Sequence, residues 1–337
     1  MSERVGSAIT VLGAGSWGTA LAMLLARNGH EVKLWDRDSG HVEALNQQRE
    51  NRRYLPGISL PDGVTAFADL HSALEGTGFV LVVVPSAGFR EVLKKTRAHL
   101  GATFNLIWAS KGLEPGTGKF LHQVVDEELP GHADIAAVSG PSFASEVARG
   151  LPTAVTVASR NTDYATTVAA LFHCLRFRAY TCEDTVGVEL GGSAKNVLAI
   201  AAGISDGLGY GANARAALIT RGLAEIMRLG AHLGGHRETF MGLAGVGDLV
   251  LTCTDDQSRN RRLGLAVGRG VALDKAVADI GQAVEGLHTA RELDALAERC
   301  GVEMPITHEV RRVLFDGESA AAAVDNLLAR ESKPETQ

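Results

Sequence analysis

Apolar residues come in short compact runs through the first half of the chain and in longer helical patterns through the second. The short runs are AITVL at 8–12, EVKLW at 31–35, FVLVVV at 79–84, FNLIW at 104–108, Ile135–Val138 and TAVTVA at 153–158. Runs of this length, bounded by Gly, Pro and polar residues, predict strands. The continuous ones predict strands covered on both faces, as in a parallel sheet. Segments of helical composition such as Thr19–Asn28 lie between them, and RRYLPGISLP at 52–61 is a proline-containing loop. Strand alternating with helix predicts an α/β fold, a doubly wound parallel sheet. After about residue 185 the strand patterns stop. Asn213–Leu229, Arg259–Gly268, Leu287–Cys300 and Ile306–Phe315 read as helices. Asn196–Ile204 is apolar on every side, the signature of a helix buried in a core. We therefore expect a sheet domain over 1–189, an all-helical C-terminal domain over 190–330, and a disordered tail over 331–337.

Composition adds limits. A chain of 337 residues is long enough for two domains. With 45% apolar and 21% charged residues it reads as soluble and globular. A net charge of −6 without a basic run gives no sign of nucleic-acid binding. Cys174, Cys182, Cys253 and Cys300 form no C-x-x-C and adjoin no histidine pair. Reduced thiols are expected, with neither a disulfide framework nor a zinc site. The first strand begins by residue 8, which leaves no room for a signal peptide. No apolar run reaches the roughly 18 residues of a membrane span. Both absences predict a cytoplasmic protein.

The first strand runs directly into Gly13, Gly15 and Gly18, and a helical segment follows. G-x-G-x-x-G between a strand and a helix is the context of a dinucleotide-binding turn. Gly13 would allow the tight turn, Gly15 the close approach of a pyrophosphate, and Gly18 the packing of helix on strand. Free N–H groups at the helix start would hold the anion. Asp36 follows Gly18 by eighteen positions, near the place of a ribose-binding acid, and Arg37 comes next. An acid there suits the 2′-hydroxyl of NAD and an arginine the 2′-phosphate of NADP. With both present, the choice of coenzyme stays open.

In a doubly wound sheet, ligands bind outside the carboxyl ends of the strands. Lys111 and Ser142 follow predicted strands and are placed there. Lys195 and Asn196 lead into the buried apolar helix. A lysine so placed either snorkels to the surface or serves chemistry, and burial would lower its pKa toward the working range of a proton donor. Asp248 follows two glycines in GVGDLVLT. Ser258, Arg259 and Asn260 begin a helix, and a hydroxyl, a guanidinium and an amide at a helix start suit an anion.

These segments together resemble the NAD(P)-dependent glycerol-3-phosphate dehydrogenases of the bacterial type. The resemblance is carried by GAGSWGTALA, ASKGLE, SGPSFASEVARGLPTA, GVELGGSAKNVLAIAAGISDGLGYGANARAALITRG, GLAGVGDLVLTCTDDQSRNRRLG and AVEGLHTA, in order between residues 13 and 290. It implies a Rossmann-type domain joined to a helical one, and reduction of dihydroxyacetone phosphate to sn-glycerol 3-phosphate for phospholipid synthesis. It implies Lys195 as the catalytic proton donor or acceptor, with no metal. Lys111, Gly140, Ser142, Lys195, Asp248, Ser258, Arg259 and Asn260 would line the substrate site. Gly13, Gly15, Ser16, Trp17, Gly18, Arg37, Tyr54, Lys111, Ala144, Arg259, Val284 and Glu285 would contact NAD or NADP. Val246 stands where the pattern has leucine. By analogy the protein is expected to be a homodimer that binds a small molecule. Two other readings are carried forward. One is a β-hydroxyacid dehydrogenase of the 6-phosphogluconate dehydrogenase kind, whose lysine and asparagine are spaced apart. The other is a dinucleotide sensor without turnover.

Overall fold

The computed structural model describes residues 7–99, 104–131 and 134–331. The first half alternates strand and helix: β1 (Ala8–Leu12), α1 (Ser16–Arg27), β2 (Glu31–Trp35), α2 (Ser39–Gln48), β3 (Val64–Phe67), α3 (Leu70–Leu74), β4 (Phe79–Val82) and α4 (Ser86–Arg97). Then come β5 (Asn105–Trp108), α5 (Leu121–Glu128), β6 (Asp134–Ser139), α6 (Ala144–Ala148), β7 (Thr153–Ala158), α7 (Thr162–Phe172) and β8 (Phe177–Cys182). The second half is helical: α8 (Thr185–Gly207), α9 (Gly211–His232), α10 (Arg237–Phe240), α11 (Asp248–Thr254) and α12 (Arg259–Gly268). It ends with α13 (Leu273–Ile280), α14 (Glu285–Cys300), α15 (Pro305–Phe315) and α16 (Ala320–Leu328).

The eight strands form one sheet in the order β3-β2-β1-β4-β5-β6-β7-β8. β1 pairs in parallel with both β2 and β4, which puts the reversal of strand order at the carboxyl end of β1. That reversal opens a crevice, and the glycine turn lies at its mouth. The sheet is Rossmann-type, as expected, with one departure. β7 runs antiparallel to β6, with Val138 opposite Val157. The link between them, residues 140–152, carries only the five-residue α6. Two strands had no clear apolar run. β3 is four residues long and alternates buried with exposed. β8 is an edge strand in which only Phe177 is buried. The expected tail at 331–337 lies, from residue 332 on, outside the described residues.

Helix α8 organises the second half. Asp184 caps it by accepting from the Gly187 N–H at 2.7 Å, and every residue from Gly187 to Ser205 is buried. It packs on β6 and β7 as well as on α9, α11, α12 and α14. The expected domain junction at 189/190 falls inside its first turns, so one rigid element joins the sheet to the helices. Its closest neighbour is α12, and the reason is glycine. A Cβ at Gly203 would stand 2.2 Å from the Arg261 carbonyl oxygen, and one at Gly264 would stand 2.1 Å from that of Ile200. Gly207 and Gly268 repeat the pattern one turn on, each with a backbone oxygen within 2.7 Å. The two helices thus touch backbone to backbone.

Candidate active site

At the first glycine turn each glycine has its own reason. Gly13 has φ +116°, and a Cβ there would meet the Val83 carbonyl oxygen at 2.6 Å. A Cβ on Gly18 would lie 1.9 Å from the Gly13 oxygen. Gly15 faces open space, with nothing within 4 Å. The turn is therefore tight on two sides and clear on the third, which is the shape a pyrophosphate needs. Helix α1 begins at Ser16, three residues before the expected start, so Ser16, Trp17 and Gly18 form its first turn. Gly15 at its N-cap offers no side-chain acceptor, and the first turn holds no acid. Its N–H groups and positive end stay free for an anion. The indole N–H of Trp17 is buried without a partner among the described residues.

The peptide of Ala14 is clamped from both sides. Its N–H donates to Asp36 Oδ2 at 3.1 Å, and its oxygen accepts from the Asn51 amide at 2.9 Å. Asp36 Oδ1 accepts the Asp38 N–H at 3.0 Å, so both oxygens of this acid are engaged by backbone. Arg37, beside it, is exposed and makes no hydrogen bond among the described residues. The half-buried Tyr54 ring lies edge-on to His41 at 5.3 Å and under the Arg53 guanidinium at 5.0 Å. Arg37 thus stands as a free cation at the carboxyl end of β2.

The two predicted lysines converge on one acid. Lys111, just past β5, places its Nζ 2.8 Å from Asp248 Oδ2 and 3.0 Å from the Gly140 carbonyl oxygen. Lys195, on α8, places its Nζ 2.5 Å from Asp248 Oδ1 and 3.1 Å from Thr252 Oγ1. Lys195 does not snorkel: it is 6% exposed, and Asp248 1%. Burial pushes the Lys195 ammonium down to about 8, with the Asp248 carboxylate opposing and the Lys111 charge assisting. Burial works against ionisation of Asp248, but the two ammonium groups outweigh it and hold the carboxyl below its ordinary range. The cluster carries two positive charges against one negative. Gly140, at φ +144°, carries no side chain because a Cβ would stand 3.0 Å from the Val155 Cα. Ser142 donates to the Gly140 oxygen at 2.9 Å, and Ala144 opens α6 just beyond.

The start of α12 meets α8 one residue from Lys195. The Asn260 amide donates to Asn196 Oδ1 at 2.9 Å and accepts the Gly286 N–H at 2.9 Å. Ser258 caps α12, its oxygen accepting the Arg261 N–H at 3.2 Å. Arg259 forms no hydrogen bond or ion pair among the described residues. Burial works against its charge, with only the nearby Glu285 favouring it. Val284 is buried at the N-cap of α14, and Glu285 follows as its first residue. Glu285 crosses to the sheet domain, where Ser86 Oγ donates to it at 2.7 Å.

The structure thus brings Lys111, Gly140, Ser142, Lys195 and Asp248 together, with Ser258, Arg259 and Asn260 on the adjoining helix start. Gly13, Gly15, Ser16, Trp17, Arg37 and Tyr54 gather at the first glycine turn and the end of β2. Two contributors escaped the sequence reading. Thr252, four residues after Asp248 on α11, also accepts from Lys195; that i, i+4 spacing was a usable signal. Ser86 left none, since its partner lies 199 residues away.

The chain matches the family model of the NAD-dependent glycerol-3-phosphate dehydrogenase N-terminus over residues 8–165 and that of the C-terminus over 184–325. It is 60% identical over 327 residues to a glycerol-3-phosphate dehydrogenase [NAD(P)+] of Thioalkalivibrio sulfidiphilus, covering 97% of this chain and 98% of that one. A crystal structure of glycerol-3-phosphate dehydrogenase from Coxiella burnetii superposes with a TM-score of 0.93 at 50% identity, over 96% of this chain and 99% of that one. The glycerol-3-phosphate dehydrogenase structure from Saccharomyces cerevisiae is 28% identical, with a TM-score of 0.81, over 95% and 99% of the two chains. With both halves matched and the site assembled, the chain belongs to the NAD-dependent glycerol-3-phosphate dehydrogenase family.

Proposed function

We propose that the protein reduces dihydroxyacetone phosphate to sn-glycerol 3-phosphate with NADH or NADPH, reversibly, and so feeds glycerophospholipid synthesis. The observation that carries the reading is the buried Lys195, held on Asp248 and Thr252 beside Lys111. The coenzyme, when bound, supplies the hydride. Lys195, as ammonium, donates a proton from Nζ to the C2 oxygen as charge develops there, and its neutral amine takes that proton back in the reverse direction. Asp248 and Thr252 aim the Nζ. Lys111 adds positive charge beside the developing oxyanion, and the Asn196 amide supplies a further donor. Ser258, Arg259 and Asn260 hold the phosphate, and Gly140 and Ser142 complete the substrate site. Gly13, Gly15, Ser16, Trp17 and Gly18 cradle the pyrophosphate. Arg37 and Tyr54 meet the adenosine end. Lys111, Ala144, Arg259, Val284 and Glu285 complete the coenzyme contacts.

The family places this chain apart from 6-phosphogluconate-type enzymes. A spectrophotometric assay of NAD(P)H loss tests the rest. Turnover with dihydroxyacetone phosphate is expected with both coenzymes. Tight coenzyme binding without turnover would leave only the sensor reading. Among the described residues no helix is long and apolar enough to cross a membrane. Four free cysteines agree with a reducing compartment, and a cytoplasmic homodimer completes the proposal. The exposed Leu175 and Tyr180, at and beside the edge strand β8, offer apolar surface for the second copy.

A further inference from the structure

Outside the lysine cluster, a second buried carboxylate ties the sheet to α8. Glu189 lies six residues before Lys195, about 9 Å back along the helix. Its Oε1 accepts the indole N–H of Trp108 at 3.1 Å and the backbone N–H of His122 at 3.2 Å. Its Oε2 bonds to His122 Nδ1. A carboxylate only accepts, so the imidazole holds its hydrogen on Nδ1. Trp108 is the last residue of β5, three before Lys111. His122 lies in the first turn of α5, where a backbone N–H has no partner within the helix. Its ring stacks on Phe120, with centroids 5.7 Å apart and planes 19° from parallel. Trp108, His122 and Glu189 are all buried.

A buried, paired carboxylate adds little stability over apolar side chains of the same size, and its use lies in fixing one geometry. The surroundings leave that geometry to Glu189. Val188, Leu121, Val125 and Phe89 pack with Trp108 in one apolar cluster, and apolar contact has no direction. Among the described residues, no other side chain of α8 hydrogen-bonds to the sheet half. Further along the helix, a Cβ at Gly192 would stand 2.7 Å from Ser139 Oγ and 3.8 Å from Lys111 Cγ, so α8 passes close over the strand ends. We propose that Glu189 is the positioning residue that sets the height and rotation of α8 on β5, so that Lys195 and Lys111 reach the two oxygens of Asp248 together. The proposal rests on the reading of Lys195 given above and carries it to a residue outside the lysine cluster.

The test is a double-mutant cycle on kcat for dihydroxyacetone phosphate reduction at saturating NADPH. Glu189→Leu keeps the bulk and removes both oxygens. It is expected to lose about 10- to 100-fold in kcat, the scale of a misplacement of about 1 Å. Its affinity for NADPH, by calorimetric titration, should stay within about twofold of the wild type. Glu189→Gln keeps one oxygen for the Trp108 N–H and should recover most of the loss. In the Lys195→Ala background, Glu189→Leu should cost less than about twofold more, because no ammonium is left to aim. Phe172→Leu, in the core on α7, gives the effect of loosening alone: a lower Tm with kcat unchanged. If Glu189→Leu does not fold, Trp108→Phe removes one bond, keeps an aromatic ring and carries the same cycle with a several-fold loss. Losses that multiply in the double variant overturn the proposal. So does a Glu189→Gln variant as slow as Glu189→Leu, or a loss of NADPH affinity as large as the loss of kcat. A Lys195→Ala variant that kept the wild-type kcat would bring down the reading of the lysine, and the proposal with it.

Discussion

At the scale of single residues, the proposed chemistry rests on one aspartate shared by two lysines. Asp248 accepts from Lys111 with one oxygen and from Lys195 with the other, so it orients both ammonium groups at once. Desolvation decides the acidity of Lys195. Burial outweighs the attraction of Asp248 and brings the ammonium to about 8, within reach of a general acid near neutral pH. The two directions then need opposite forms of one group. Reduction needs the ammonium, so kcat/KM for dihydroxyacetone phosphate should fall as pH rises through about 8. Oxidation of glycerol 3-phosphate needs the amine and should rise over the same interval. Parallel pH profiles for the two directions would remove Lys195 from the proton transfer. Lys195→Ala should bind NAD(P)H nearly as the wild type does and lose roughly 10²–10⁴ in kcat. A folded variant losing less than about tenfold would say that another group gives the proton.

At the scale of elements, one acid behaves in an unusual way. Glu225, on α9, is 2% exposed and accepts the Ile306 N–H at 2.8 Å and the Thr307 N–H at 3.3 Å, at the start of α15. Burial pushes its carboxyl up to about 7. The folded protein therefore holds a proton there that the unfolded chain gives up near the ordinary carboxylate range. Its contribution is fully present below that range and is lost as pH rises toward 7. Glu225→Gln, which keeps a carbonyl acceptor, should gain on the wild type by a few degrees in Tm between pH 5 and pH 8. The same Tm difference at both pH values would refute the assignment.

Such elements also mark what the sequence could tell. β2 and β7 were legible to the residue, because their apolar runs were bounded sharply. Helix α12 was equally legible, because Ser258 caps it and Gly268 ends its pattern. β3 and β8 were not, since neither buries a continuous face. The reversed direction of β7 could not be read, because strand composition carries no sense of direction. At the site, Lys195 stood out by its setting in an apolar helix. The bond from Asn260 to Asn196 did not, since it exists only once α12 has packed on α8.

At the scale of the whole molecule, the proposed reacting centre lies where sheet and helices meet. Lys111 comes from the sheet half, Lys195 and Arg259 from the helical half. Arg259 reaches that junction as a cation that burial disfavours and that has no ion pair among the described residues. A site kept that way calls for an anion, and a phosphate dianion answers it with two acceptor oxygens for the planar guanidinium. Truncating one member of a buried charge pair costs about 2–5 kcal/mol, or roughly thirty- to several-thousand-fold in kcat/KM. Arg259→Ala should lose that much with dihydroxyacetone phosphate at saturating coenzyme. It should barely change the slow rate with unphosphorylated dihydroxyacetone. An equal fold loss with both substrates would falsify the phosphate role.

The glycine contact between α8 and α12 bears on inheritance as well as on packing. Every missense change in a glycine codon adds at least one carbon, and at Gly203, Gly207, Gly264 and Gly268 that carbon would meet a backbone atom that cannot swing aside. At an ordinary buried position such as Leu198, exchange for another aliphatic side chain costs less than about 1.5 kcal/mol. The four glycines have no such mild neighbours. In a library carrying every single substitution, selected for growth that depends on this enzyme, they should be emptied of all alternatives, alanine included. Position 198 should keep isoleucine and methionine. Alanine surviving freely at 203 and 264 would mean that the two helices can move apart at little cost. The tight crossing would then be a habit of this lineage and not a condition of its survival.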